Sequence, residues 1–242
     1  MLVYARAMAT RAAGAKAKAK GGLRIAPFVP PRAITPAQLR LRDTIREARV
    51  TVVTGPAGCG KTFWAIHEAL DALARGDVRK CILTRPMVTA DEPLGFLPGD
   101  TVSKLSPYLT HMFDMIKDRM SAEHLAALIR EDVIEVSPLG LQRGRTYKDM
   151  FVIADEMQNA TCGQAKMLLT RMGPRSTLVV TGDVTQSDRH EGAGQHVSCS
   201  GLEDVVERLR RADCELLKLV ELGDEDVVRD PVVVEALRLY EQ

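Results

Sequence analysis

Short apolar runs alternate with amphipathic segments along most of this chain. Runs rich in aliphatic and β-branched residues, which are typical of buried strands, occupy 50–54, 80–84, 133–136, 151–154, 176–181 and 215–220. Apolar residues at helical spacing fall between them, at 36–48, 61–75, 103–119, 121–131 and 201–211, and again at 232–241. Strands that alternate with helices predict parallel pairing through right-handed crossovers. The expected fold class is therefore α/β, a mostly parallel sheet flanked by helices on both faces.

Terminal and internal signals support these helices. Thr35 can cap the first helix and Pro36 suits its first position, while Gly76 is placed to end the second. Pro231 similarly opens the last helix. The apolar stripe of Met112, Met115, Ile116 and Met120 indicates core packing rather than a cofactor site.

Residues 1–33 differ in composition from residues 34–242, which we predict to form the folded domain. Six of the 33 basic residues lie within the first 24 positions, which contain no acid, so 27 basic residues face all 32 acidic ones in the remainder. The six are Arg6, Arg11, Lys16, Lys18, Lys20 and Arg24. We expect a flexible basic tail; an arm that touches nucleic acid and a transit peptide are the alternatives.

The chain shows no sign of a membrane or secreted protein. No run of 18 apolar residues is present, and the five cysteines form no CxxC pair. Both features favour a cytoplasmic protein without a membrane partner. The spacing of His190, His196 and Cys199 matches no standard zinc site.

The most informative stretch follows the first predicted strand. Gly55, four further residues and then Gly60-Lys61-Thr62 match the Walker A pattern. Glycine is needed where the loop wraps a polyphosphate closely, and its N–H groups form an anion-binding nest. Lys61 is expected to reach the β- and γ-phosphates and Thr62 to ligate Mg²⁺. The predicted nucleotide-binding residues of the loop are Gly55, Pro56, Ala57, Gly58, Cys59, Gly60, Lys61 and Thr62.

A second motif supplies the chemistry of hydrolysis. The strand predicted at 151–154 ends in Asp155-Glu156, a Walker B pattern. Asp155 would hold Mg²⁺ through a water molecule, and Glu156 would polarise the attacking water. Gln186 follows the strand at 176–181, where it could sense the γ-phosphate; a polar loop residue is the alternative. These residues predict Mg²⁺-dependent hydrolysis of ATP at the β–γ bond.

Three further positions are weaker candidates, each with a plain surface residue as its alternative. Gln38 precedes the P-loop strand at a place where helicase-type ATPases read the adenine edge. Arg85 follows the strand at 80–84, where α/β folds bind ligands. The basic turn Arg143-Gly144-Arg145-Thr146 could contact phosphate, of either a nucleotide or a nucleic acid.

The motifs together resemble those of the PhoH family of P-loop ATPases, in a stand-alone form like those of phages and bacteria. The resemblance spans residues 34–242 and includes Ile82-Leu83-Thr84-Arg85-Pro86, Gly95-Phe96-Leu97-Pro98-Gly99-Asp100, Asp155-Glu156-Met157-Gln158-Asn159 and Thr181-Gly182-Asp183-Val184-Thr185-Gln186. The nucleotide-binding motifs are also similar to those of superfamily 1 helicases.

The resemblance implies a RecA-like core, ATP hydrolysis and a homo-oligomeric ring, a hexamer. It also implies an arginine finger donated across the ring interface, for which Arg229 is the candidate. We expect coupling to single-stranded RNA or DNA. An ATP-dependent oligomeric scaffold that acts on a protein partner is the alternative, and a small-molecule kinase is a second one.

Overall fold

A computed structural model describes residues 23–31, 34–87, 110–186, 200–228 and 232. Its helices are α1 (Pro36–Glu47), α2 (Lys61–Arg75), α3 (the helical residues 110–117), α4 (Ala122–Arg130), α5 (Cys162–Leu169) and α6 (Gly201–Arg211). Its strands are β1 (Val50–Thr54), β2 (Lys80–Thr84), β3 (Ile134–Val136), β4 (Met150–Ala154), β5 (Thr177–Gly182) and β6 (Leu217–Glu221). Short 3₁₀ helices cover Leu139–Gln142, Met157–Asn159 and Asp224–Asp226.

The six strands form one sheet in the order β3-β2-β4-β5-β1-β6, and every pairing is parallel. β1 lies between β5 and β6, with Val52 opposite Val180 on one side and Leu219 on the other. The predicted α/β class and the RecA-like P-loop arrangement are confirmed. Because all strands run in one direction, their carboxyl ends, and the loops that carry the motifs, meet at one edge of the sheet.

Helices cover both faces of the sheet, and each face has its own apolar core. Alternate strand residues divide between them, as a period of two requires: Val53 packs with α1 to α4, whereas Val52 packs with α5 and α6. The predicted apolar stripe is confirmed as core, since Met112 and Ile116 on α3 and Met120 after its end are buried and Met115 packs against the same cluster.

The predicted helix ends are also confirmed. Thr35 caps α1 in a capping box with Gln38, Pro36 is its first residue, and Gly76 ends α2 with a left-handed φ of 76°. β6 begins at Leu217, two residues later than predicted, and the carbonyl of Leu216 just before it accepts the N–H groups of Arg49 and Val50. Most of the last predicted helix, 233–241, lies outside the described residues.

The described part of the predicted tail, residues 23–31, packs on the domain. The Phe28 ring lies 5.5 Å from Trp64 and 4.3 Å from His67, between ring centroids. The N–H of Ala26 donates to the carbonyl of Arg119, whose guanidinium donates back to the carbonyl of Ala26. Within the described ranges, no helix has the length and apolar character needed to cross a membrane.

Candidate nucleotide site

The loop between β1 and α2 has the backbone that a phosphate cradle requires. Gly58 and Gly60 have φ values of 86° and 90°, a left-handed conformation that side chains disfavour. A Cβ on Gly55 would lie 2.6 Å from the carbonyl oxygen of Leu222, so only glycine fits there. Gly60 directly precedes α2, whose N-terminus therefore faces the loop.

Lys61 is held over this loop. Its Nζ donates to the carbonyl oxygens of Gly55, at 2.6 Å, and Pro56, at 2.8 Å. An ammonium group placed here can move from these carbonyls to a polyphosphate by rotating its own side chain. Cys59 is buried beside it, and burial raises the pKa of its thiol in spite of the nearby Lys61. A protonated, buried thiol is a space-filling group rather than a reactive one.

Side chains from three different elements, α2, α3 and β5, meet at Asp155. Its Oδ1 accepts a 2.7 Å hydrogen bond from the hydroxyl of Thr62 and another from Thr181, and Oδ2 lies 3.1 Å from Nε2 of His111. The carboxylate is 1% exposed. Burial by itself would raise the pKa of Asp155, but the hydrogen bonds from His111, Thr181 and Thr62 outweigh it and hold that pKa below its usual value. Asp155 therefore remains ionised.

Glu156 follows Asp155 in a left-handed conformation, with φ 54°. Its Oε2 accepts a 2.5 Å hydrogen bond from Nε2 of Gln158. The other end of the Gln158 amide, Oε1, accepts the backbone N–H of Asp183 at 3.2 Å. The side chain that would polarise water is thus connected through Gln158 to the end of β5.

Several of these groups line one cavity of about 470 Å³. Its lining includes the loop residues Ala57, Gly58, Gly60, Lys61 and Thr62, the polar residues Gln38, His111 and Glu156, and the apolar residues Pro31, Phe63, Trp64, Met115 and Val228. The lining thus combines polar and charged groups with apolar and aromatic ones, which suits a ligand that has both a phosphate end and a base.

The residues present fit a magnesium nucleotide. Thr62 and Asp155 place a hydroxyl and a carboxylate oxygen in direct contact, and Mg²⁺ prefers such oxygen ligands. Asp183 Oδ2 and Thr84 Oγ1, at the same edge of the sheet, are buried oxygens without a hydrogen-bond partner among the described residues. These two oxygens are thus available beside Asp155 to bind a ligand.

Gln38 is buried and firmly bonded. Its Nε2 donates to the carbonyls of Cys59 and Asp226, each at 3.0 Å, and its Oε1 accepts the N–H of Thr35. Both amide hydrogens are therefore used within the protein. The side chain ties α1 to the P-loop while it lines the cavity, and the reading of adenine by Gln38 stays a prediction.

The remaining candidates lie at the edge of the site or beyond it. Arg85 is half-buried directly after β2, and Gln186 is exposed in the turn after β5, where its N–H donates to the carbonyl of Asp183. Neither residue is part of the described lining of the cavity. Arg229 and the segment 95–100 lie outside the described residues. The catalytic or binding role of each stays a prediction.

Sequence reasoning missed His111 and Thr181 as partners of Asp155. His111 is on α3, which packs across the sheet, and no local motif marks it. Thr181 belongs to an apolar strand whose pattern predicts only burial. Gln158 belongs to the segment Asp155-Glu156-Met157-Gln158-Asn159 that the family resemblance includes, but its bond to Asp183 joins segments 25 positions apart.

Comparison with known proteins identifies the family. A family model described as PhoH-like protein matches residues 31–241, which is most of the chain. The chain belongs to the PhoH family. It is 44% identical to a PhoH-like protein of Bacillus subtilis over 188 residues, which cover 78% of this chain and 57% of that protein. It is 40% identical to Protein PhoH of Escherichia coli K12 over 206 residues, 84% of this chain and 56% of that protein.

The chain thus spans little more than half the length of these PhoH relatives. Among solved structures, the helicase MrfA bound to DNA is similar over 82% of this chain and 31% of its own, with a TM-score of 0.46 and 10% identity.

Proposed function

We propose that this chain is a Mg²⁺-dependent ATPase that hydrolyses the β–γ bond of ATP. Lys61 and the N–H groups of the loop bind the phosphates, and Thr62 and Asp155 hold the metal ion. When bound, Mg²⁺ neutralises charge that develops on the phosphate oxygens. A Thr62–Asp155 hydrogen bond of 2.7 Å, in which Thr62 lines the same cavity as Lys61 and Glu156, carries the proposal.

Glu156 acts on the attacking water. Its carboxylate accepts a proton or a hydrogen bond from that water, which orients the water toward the γ-phosphate. Gln158 fixes the carboxylate in position through the 2.5 Å bond to Oε2. Gln186, which follows the same strand as Asp183, senses the γ-phosphate and relays its loss.

The experiment compares Glu156→Gln with Lys61→Ala. Glu156→Gln retains ATP binding, measured with a fluorescent analogue, and loses turnover by about 10²-fold or more, the scale of a general-base contribution. Lys61→Ala loses binding as well. Near-normal turnover in Glu156→Gln would remove Glu156 from the mechanism, and inactivity of the wild-type chain with Mg²⁺ and ATP would overturn the proposal.

We further propose that hydrolysis is coupled to single-stranded RNA or DNA. The support is the helicase-like motifs, the basic segment before residue 25 and the exposed Arg143. Arg145, the other cation of that turn, is bound by Glu135 through both guanidinium NH groups and is a structural residue. ATPase rates with and without oligonucleotide test the coupling.

The alternative is a ring that uses ATP to act on a protein partner, which predicts a flat response to oligonucleotide and no binding at low salt. In either case we expect a cytoplasmic homo-oligomeric ring, a hexamer, with Arg229 reaching the site of the neighbouring subunit. Sedimentation of the chain with and without ATP measures the oligomeric state.

A further inference from the structure

A second recess lies on the face of the sheet covered by α5 and α6. It is a groove of about 770 Å³ between α5 and the loop that contains the 3₁₀ turn Leu139–Gln142. We call it the α5 groove. It is lined by three cations, Arg143, Lys166 and Arg171; three glycines, Gly140, Gly144 and Gly163; and Thr161, Gln164, Met167 and Thr170.

The charged residues described in the lining of the α5 groove are all cations. No acidic residue belongs to its described lining. Arg143, Lys166 and Arg171 form no ion pair with any carboxylate of the described ranges, and Arg171 donates only to neutral oxygens, among them the carbonyl of Met167. Arg145, only two positions from Arg143, is by contrast neutralised by Glu135. Three cations in one recess, none of them paired with a carboxylate of the described residues, attract a polyanion.

The walls of the groove are unusually open. A Cβ added to Gly140 or Gly144 would meet no atom within 4 Å, and one on Gly163 would meet only the Thr161 hydroxyl, at 3.8 Å. No packing against the described residues therefore demands glycine at Gly140, where φ is also not left-handed. Glycines in a cationic recess let a ligand backbone approach closely.

We propose that the α5 groove binds the phosphate backbone of a single nucleic-acid strand. The inference rests on the nucleic-acid coupling proposed above and names its surface. The three cations come from both walls of the groove, Arg143 from the loop and Lys166 and Arg171 from α5 and the residues just after it, so a chain of phosphates between the walls meets positive charge on either side. A recess admits one strand, whereas duplex recognition uses an element that projects into a groove of the duplex.

The groove is directly connected to the hydrolysis site. Thr161, the N-cap of α5 and part of the groove lining, follows Glu156 by five positions. The carbonyl of Ala160 accepts the N–H of Gly201 at 2.8 Å, so this segment is anchored directly before Thr161. A strand bound in the α5 groove therefore contacts the same short segment that carries Glu156 and Gln158.

The test measures fluorescence anisotropy of a labelled single-stranded oligonucleotide with the full-length chain over a range of salt concentrations. Removing two phosphate contacts with Arg143→Ala/Lys166→Ala lowers the slope of log K against log salt by about 1.4, at roughly 0.7 per contact for single strands. The matched control is Arg40→Ala/Arg130→Ala, two exposed and unpaired cations of the described ranges on the opposite face, which leaves the slope unchanged.

A second pair of variants, both at Gly140, tests whether filling the groove prevents binding. Neither substitution changes the charge of the groove. Gly140→Trp weakens binding by about tenfold or more, whereas Gly140→Ala, whose Cβ meets open space, binds as wild type does. Thermal melting of each variant verifies the fold. Lys16→Ala/Lys18→Ala/Lys20→Ala separates the contribution of the tail, which adds to that of the groove.

Each possible outcome either supports or overturns the assignment of the α5 groove. If the wild type binds and both groove variants bind equally well, the groove is not the surface, while the nucleic-acid coupling stands. If the wild type fails to bind the oligonucleotide even at low salt, both the nucleic-acid coupling and the role of the α5 groove are overturned. If polyglutamate of equal charge competes as effectively as the oligonucleotide, the groove is a site for acidic protein segments and the inference is overturned.

Discussion

The amide Nε2 of Gln158 donates a 2.5 Å hydrogen bond to Oε2 of Glu156. Gln158 is buried, whereas Glu156 borders the cavity, so a fixed donor holds a carboxylate that is itself accessible. Because Gln158 also accepts the N–H of Asp183, the position of Glu156 depends on the end of β5, from which the chain continues to Gln186.

Replacing Gln158 by Leu removes this hydrogen bond and leaves the phosphate-binding residues intact. We expect kcat to fall by about tenfold or more, since a hydrogen bond to a charged group contributes about 1.5 to 3 kcal/mol. KM for ATP should change little, because Gln158 does not line the cavity. Steady-state kinetics measures both constants, and a rise in KM at constant kcat would contradict a positioning role.

A substitution at Gly182, the last residue of β5, also tests how Gln158 positions Glu156. A Cβ there would lie 2.5 Å from Oε1 of Gln158 and 2.6 Å from Cδ2 of Leu202. Gly182→Ala should therefore displace Gln158 and lower kcat, with a destabilisation of about 1 to 3 kcal/mol from overpacking. A double-mutant cycle with Gln158→Leu is the control: if the clash acts through Gln158, the two effects on kcat are not additive. Full additivity would contradict that pathway.

The parts of the site that the sequence predicts are those encoded locally. A P-loop needs left-handed backbone at Gly58 and Gly60, and a Walker B motif needs an apolar strand before Asp155; both are legible in adjacent residues. His111 reaches Asp155 only because α3 packs across the sheet, 44 positions away. Gln38 donates a hydrogen bond to Asp226, which is 188 positions later in the chain. Arg145 pairs with Glu135 on β3, the strand next to β2. Such pairings depend on the assembled fold.

Arg145→Ala should reduce stability in a pH-dependent manner. Burial opposes ionisation of Glu135, but hydrogen bonds from Arg145 and Lys80 hold its pKa below the usual value. A lowered folded-state pKa stabilises the protein above the ordinary pKa of a glutamate, and this stabilisation disappears as pH falls through the lowered value. We expect a loss of about 1 kcal/mol at pH 7, because Arg145 is partly exposed.

The measurement is urea unfolding of both proteins from pH 7 to pH 3, where the two curves should converge. A difference that persists unchanged in acid would contradict an origin in Glu135. Arg143→Ala is the matched control: it lies two positions away without an ion pair in the described ranges, and its unfolding free energy should remain within about 0.5 kcal/mol of wild type.

Gln38→Ala should destabilise the P-loop. It leaves the carbonyls of Cys59 and Asp226 and the N–H of Thr35 without their present partner, at an expected cost of about 2 to 4 kcal/mol in the free energy of unfolding. Arg40→Ala, exposed on the same helix, is the control. If Gln38 also reads adenine, the ratio of kcat/KM for ATP over GTP falls in the variant; a structural role alone lowers both equally.

Mixing inactive subunits tests the proposed role of Arg229 across a ring interface. A Lys61→Ala subunit cannot bind ATP properly but can still donate its Arg229 to a neighbour. An Arg229→Ala subunit has an intact P-loop but no finger to donate. Equal mixing of the two should therefore restore ATPase activity above that of either variant alone, since some interfaces then combine an intact loop with an intact arginine.

The control for this experiment is a mixture of Lys61→Ala with Lys61→Ala/Arg229→Ala, in which every P-loop is defective and no activity can return. Sedimentation of the mixtures establishes that rings form and exchange subunits. Activity equal to the mean of the separate variants, in rings shown to be mixed, would place Arg229 outside the catalytic site of the neighbour. Recovery would establish that hydrolysis at one Lys61–Glu156 site depends on the adjoining subunit.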